Sequence, residues 1–137
     1  MEARGIRNYN PGNIRGGSEK WQGEVGRDDK GFVIFDSERN GLRALAKVLI
    51  NYQLKHNLQT IRQIVTRWAP PNENNTVAYI NAVAGDMHTS ADAPLNVRDP
   101  ETLDQLVRAI VLHEVGSFPY TARTLVTASN DALGKAA

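Results

Sequence analysis

LDQLVRAIVLHEVG, Leu103 to Gly116, places a carboxylate where helical periodicity asks for an apolar side chain. At 100° per residue, Leu103, Leu106, Val107, Ile110 and Val111 fall on one stripe. Glu114 lies four residues past Ile110 and seven past Val107, within that same stripe. A carboxylate on a core-facing stripe is costly to bury, so it is normally paired, neutralised or set at a cleft. Gly116 supplies a helix stop, and Pro119 stands just beyond it. Two readings follow: a frayed helix end whose glutamate reaches water, or an acid held where a buried helix breaks off.

The surrounding chain has 137 residues, which fits a single domain over 1–137. A chain of that size buries roughly two-thirds of its unfolded surface, enough for a real core. Its 16 Lys+Arg and 15 Asp+Glu are interspersed and leave a net charge of +1. No basic stripe alternates with aromatics, so nucleic acid is not an expected partner. Cysteine is absent, which excludes disulfides and a thiol nucleophile. The opening MEARGIRNYN has no apolar stretch of the signal-peptide kind, and no run is long enough to span a bilayer. No signal peptide and no transmembrane segment are therefore expected.

Working back to the start, glycines recur from Gly5 to Gly31, separated by short candidate strands at Asn13–Arg15, Lys20–Val25 and Gly31–Phe35. Such spacing suits tight turns in a small antiparallel lobe, with Gly26–Gly31 as a hairpin tip. A lobe this small must lean on helices. Ser37 is placed to cap a helix carrying Leu42, Leu45, Leu49 and Tyr52. Thr60 and Gln63 fit a capping box ahead of Ile61, Ile64, Val65 and Trp68, and Pro70-Pro71 ends that helix. Asn74 or Asn75 begins another, with Val77, Ile80 and Val83 inward, to about Asp86. Met87–Asn96 reads as loop, Asp99 caps the opening helix with Pro100 at its first position, and a last helix starts near Thr121. The fold class is mainly α (α+β), one domain with an N-terminal antiparallel β-lobe.

Metal chemistry finds no footing, because His56, His88 and His113 are scattered and none forms a His-x-x-x-His pair. Carboxylates remain. Glycoside cleavage needs an acid held protonated near neutral pH, and burial of a glutamate achieves that. Glu114 is the best-placed candidate. A second carboxylate would come from Glu24, Asp28, Asp29 or Glu73, each of which also reads as a solvated loop charge. The stretch WAPPNENNTVAY (Trp68–Tyr79) gathers Asn74, Asn75, Thr76 and Tyr79 around Glu73. Amides, hydroxyls and aromatics of this kind bind sugar hydroxyls and acetamido groups, although a turn with an N-cap explains one or two of the asparagines.

Two segments resemble known proteins. RGIRNYNPGNIR (Arg4–Arg15), followed by Trp21, Gly23, the Phe32–Phe35 strand and GLRALAKVLINY, resembles the opening of small phage-associated peptidoglycan-degrading domains. The same run is similar to the β-lobe and next helix of wall-cleaving glucosaminidases in the lysozyme-like superfamily. In those enzymes a helix ending in a catalytic glutamate precedes the lobe. Here AIVLHEVGSFPY (Ala109–Tyr120) looks like that helix moved to the C-terminal side, with Val115 in place of a small polar residue. The resemblance implies a lysozyme-like fold in circularly permuted order, a rearrangement that surface termini allow. It implies Glu114 as the catalytic acid and a role beside the cleft for Tyr79, and leaves the second carboxylate unassigned.

The resulting expectation is cleavage of peptidoglycan glycan strands, as a muramidase or lytic transglycosylase, without cofactor or metal. Glu114 and Glu24 are the catalytic candidates, and Glu73, Asn74, Asn75, Thr76 and Tyr79 the substrate-binding ones. Bacterial peptidoglycan is the expected partner, with virion components beside it, and the expected location is a virion or the host cytoplasm before release to the wall. The rival expectation is a wall-binding or virion structural module that kept the cleft without turnover.

Overall fold

The structure, a computed structural model, describes residues 2–135. It is mainly helical, with one two-stranded antiparallel sheet. The elements run α1 (Arg4–Arg7), β1 (Glu24–Arg27), β2 (Val33–Phe35), α2 (Glu38–His56), α3 (Ile61–Trp68), α4 (Thr76–Asp86), α5 (Pro100–Val115) and α6 (Ala122–Leu133). No helix is long and apolar enough to cross a membrane among the described residues.

Local chemistry sets the helix ends. Ser37, Thr60, Asn75, Asp99 and Thr121 each accept a backbone N–H from three residues ahead, so every helix from α2 onward starts on a side-chain cap. Pro100 occupies the first turn of α5, and Gly116 ends it at φ 84°, a left-handed conformation that glycine adopts without strain. Gln63 departs from the expected capping box: its Oε1 accepts from the Gln59 N–H, one residue before the cap.

Helix α5 is the hub, packing against α1, α2, α4 and α6, while α2 makes its broadest contact with α6. Leu103, Leu106, Val107, Ile110 and Val111 are all fully buried, together with Leu42, Leu45, Leu49, Ile61, Ile64, Val65 and Val83. Val77 is a correction, because it is 66% exposed whereas an inward position was expected. The buried face of α4 runs through Thr76, Tyr79, Ile80 and Val83, a helical spacing that leaves Val77 one step off the stripe.

The β-lobe differs more from expectation. The strand expected at Lys20–Val25 lies instead at Glu24–Arg27, and Asn13–Arg15 contributes only a single bridge, Arg15 to Phe32. The turn moves accordingly to Asp28, whose Oδ1 accepts the N–H groups of Lys30 and Phe32. Val33, Phe35 and Ala44 form a separate small core with Ile14 and Trp21 against it. The rest of the lobe is tied by polar side chains. Fully buried Asn10 donates to the carbonyls of Ile14 and Val33, both at 2.9 Å, and accepts the Ile14 N–H. The segment ahead of the lobe docks on α2 at Gly41, where an added Cβ would collide with the Tyr9 carbonyl oxygen. Gly5 in turn lies against the Val115 side chain, which brings the first residues beside the end of α5.

Candidate functional site

Three helix termini meet at one point. Trp68 is the last residue of α3, Tyr79 sits in the first turn of α4, and Glu114 in the last turn of α5. The Trp68 indole N–H donates to the Tyr79 phenol oxygen at 3.0 Å, and the Tyr79 O–H donates to Glu114 Oε2 at 2.7 Å. Because the phenol oxygen is occupied by the indole, its own proton is directed at the carboxylate. Tyr79 is only 2% exposed, and its ring stacks on that of His113 with centroids 3.8 Å apart. Burial, followed by the adjacent Glu114 charge and hydrogen bond, pushes the phenol well above its usual range. Tyr79 is therefore a fixed donor across the working pH range of proteins.

Glu114 itself is half-buried rather than sealed in the core. Its Oε1 has one contact among the described residues, a long 3.5 Å approach of the Asn13 amide. Asn13 holds that position in a left-handed conformation, φ 49°, which asparagine tolerates better than most residues. Glu114 opens onto a cleft of about 510 Å³ between the two parts of the molecule. Arg4, Asn13, Arg15 and Phe32 line one wall, and Tyr52, Trp68, Glu73 and Asn74 line the other. The guanidinium groups of Arg4 and Arg15 lie 4.2 and 4.4 Å from the Phe32 ring centroid, which sets two cations on the β-lobe wall, Arg4 also lying 3.8 Å from an Asp28 carboxylate oxygen.

The other sequence candidates have divided fates. Tyr79 meets Glu114 directly. Glu73 and Asn74 reach the cleft. The Glu73 carboxylate has no hydrogen-bond partner among the described residues; only its backbone N–H is engaged, with the Pro70 carbonyl. Asn75 is spent on the α4 cap, and the buried Thr76 hydroxyl donates to the Ala69 carbonyl. Neither faces the cleft.

Glu24 does not line the Glu114 cleft. Its Oε1 accepts the Trp21 N–H at 3.1 Å and its Oε2 accepts from Arg27 at 3.2 Å. The Trp21 N–H, and after it Arg27, hold this carboxyl below its ordinary range against the opposing effect of burial. Asp28 is committed to its turn and to Asn8.

Sequence periodicity missed Asn13, Arg4 and Arg15 as cleft residues, because only the folded lobe turns them toward Glu114. The sequence sets Trp68 on the buried side of its helix and at the start of the Trp68–Tyr79 stretch, but does not show that its indole anchors Tyr79. Among the described residues, no three His, Cys, Asp or Glu side chains converge as a metal site would require.

No family profile matches the chain. It is similar to Protein P5 of Pseudoalteromonas phage PM2, 42% identical over 123 residues that span 87% of this chain and 75% of that protein. With identity and coverage at that level, the chain belongs to the family of phage PM2 Protein P5.

Proposed function

We propose that this protein cleaves the glycan strands of bacterial peptidoglycan, with Glu114 as general acid, on a lysozyme-like domain in circularly permuted order. The observation that carries this reading is the Trp68–Tyr79–Glu114 chain ending at an open cleft. A general acid must be held in one rotamer while one oxygen stays available to substrate. Tyr79 fixes Oε2, and Oε1 is the oxygen left for the glycosidic bond. In the first step the Oε1 proton passes to the glycosidic oxygen as the C1–O bond breaks, leaving oxocarbenium character on the muramyl ring. The Glu114 carboxylate stabilises that charge and then takes the proton of the muramyl 6-hydroxyl as that oxygen attacks C1. The products are a 1,6-anhydromuramyl end and a free 4-hydroxyl, and no cofactor enters.

A hydrolytic outcome would need a second carboxylate to activate water. Glu73, on the same cleft, is better placed for that than Glu24, whose oxygens are occupied. Mass spectrometry of digested sacculi separates the routes: anhydromuramyl ends are expected, and reducing ends lost in Glu73→Gln would make this a two-carboxylate hydrolase. Kinship with a phage protein also supports a virion-carried module that holds peptidoglycan without turnover. Retention on insoluble peptidoglycan with no released fragments is the signature of that second reading.

A further inference from the structure

Beside the Glu114 cleft, and sharing Ile14 and Arg15 with it, a second cleft of about 580 Å³ opens between the loop before β1 and helix α2. Four cations line it, Arg15, Lys20, Arg43 and Lys47, against the single carboxylate of Glu19. None of the four is within 4.0 Å of a carboxylate oxygen among the described residues. Arg15 and Lys47 spend one donor each on the carbonyls of Lys30 and Ala132, and Lys20 and Arg43 have no hydrogen-bond partner there. Arg43 and Lys47 are four residues apart on one face of α2, a like-charge spacing that weakens a helix. Asp131 on α6 feels the Arg43 charge, but its two oxygens accept from Nε and Nη2 of Arg39. Trp21 adds a half-buried aromatic face to the same cleft. The arrangement is a set of four cations without direct ion pairs beside the Trp21 face, which suits an elongated ligand bearing several carboxylates.

We propose that this second cleft is a carboxylate subsite that takes the peptide stem of the same strand whose glycan lies at Glu114. The proposal rests on the peptidoglycan reading above. Stem peptides branch from the muramyl lactyl group and carry free carboxylates separated by methyl and methylene groups. The cations would bind the former and Trp21 the latter, while Arg15 joins the two clefts into one continuous surface.

The test compares intact peptidoglycan fragments with amidase-stripped strands, which keep the lactyl carboxylates and lose the stems. Binding is measured calorimetrically with Glu114→Gln protein, and cleavage with Glu114 intact. In the Lys20→Gln/Arg43→Gln double variant, affinity and cleavage rate for stem-bearing strands should fall roughly tenfold, as loss of two charge-assisted contacts implies. Stripped strands should be handled as by wild type, and Arg43→Lys should recover part of the loss. A thermal melt close to wild type shows that the variant is folded; if it is not, Lys20→Gln alone, in an exposed loop, carries the comparison. Equal behaviour of wild type and variant on both strands overturns the subsite and leaves the glycan reading standing. Failure of wild type to bind or cut either strand overturns both. Charge-dependent capture of a single-stranded oligonucleotide, with no preference for stems, overturns the subsite in favour of a nucleic-acid groove.

Discussion

The helical part and the β-lobe face each other across one cleft, yet they are held together by different physics. Helices α2 to α6 share one continuous apolar core in which whole side chains are removed from water. The lobe buries Val33 and Phe35 against Ala44 of α2 in a small core of its own, and relies on Asn8, Asn10, Glu24 and Asp28 bonding to backbone or to each other. Burial is cumulative and tolerant of small changes, whereas a buried polar tie is specific and fails when one partner is removed. The helical wall also carries the proposed acid and its donors, while the lobe wall supplies Arg4, Asn13 and Arg15. Substitutions on the helical wall should therefore alter chemistry, and substitutions in the lobe should alter stability and fit.

The largest effect expected is that of Glu114→Gln. Loss of a general acid costs about 10²–10⁴ in rate, so zymograms on purified sacculi should show no clearing. Thermal stability should be unchanged or slightly raised, since groups held for function often cost stability. Clearing near the wild-type rate would sink the assignment of Glu114.

Next comes Gly41→Ala, which tests how the lobe is attached. The new methyl group meets the Tyr9 carbonyl oxygen, a backbone atom that cannot rotate away. A cost of about 2–4 kcal/mol is expected by denaturant unfolding, although alanine is the better helix former. A variant as stable as wild type would mean that the segment before β1 is not docked as described.

Tyr79→Phe should be milder in stability and selective in kinetics. It removes the donor to Glu114 and leaves the Trp68 indole N–H without its acceptor. A fall in kcat of roughly 10–100-fold with little change in KM is expected, since the role proposed for the hydroxyl is to orient the acid rather than to hold the sugar. A rise in KM with kcat preserved would instead make Tyr79 a binding residue.

The smallest effect belongs to Glu24→Gln. The Glu24 carboxyl is held below its ordinary 4.5, so its contribution to stability is present above that pH and is lost as pH falls through the lower folded value. The variant should lose about 1 kcal/mol near neutrality and show a shallower decline in acid, followed by melting temperature from pH ~5 downward. Cleavage should stay within a few-fold of wild type. Abolished cleavage in a folded Glu24→Gln protein would restore it as a catalytic group.

The same contrast explains what could be read from the chain beforehand. The helical part announces itself through side-chain period and through cap residues at Ser37, Thr60, Asn75, Asp99 and Thr121, because both signals are local. The anomalous Glu114 was legible for the same reason. In the lobe, strand limits depend on Asn10 reaching Val33 across 23 residues and on Asp28 closing the turn, which no period reports. Glu24 read as a catalytic candidate within an expected strand, but Arg27 and the Trp21 N–H claim its oxygens. Asn75 was legible as a candidate cap, but the commitment of the Thr76 hydroxyl to the Ala69 carbonyl was not.

The contact between Asn13 and Glu114 joins residues 101 positions apart, and Gly5 meets Val115 over a longer span still. Loop closure over such separations is slow compared with helix growth, which needs only neighbouring residues. Secondary structure and a usable site therefore mature on separate clocks. During refolding the far-ultraviolet helical signal should return first, and catalytic competence should follow only when the opening segment has settled against α2 and the end of α5. A chain caught between those two events has Glu114 and Tyr79 on their helices, and half a cleft.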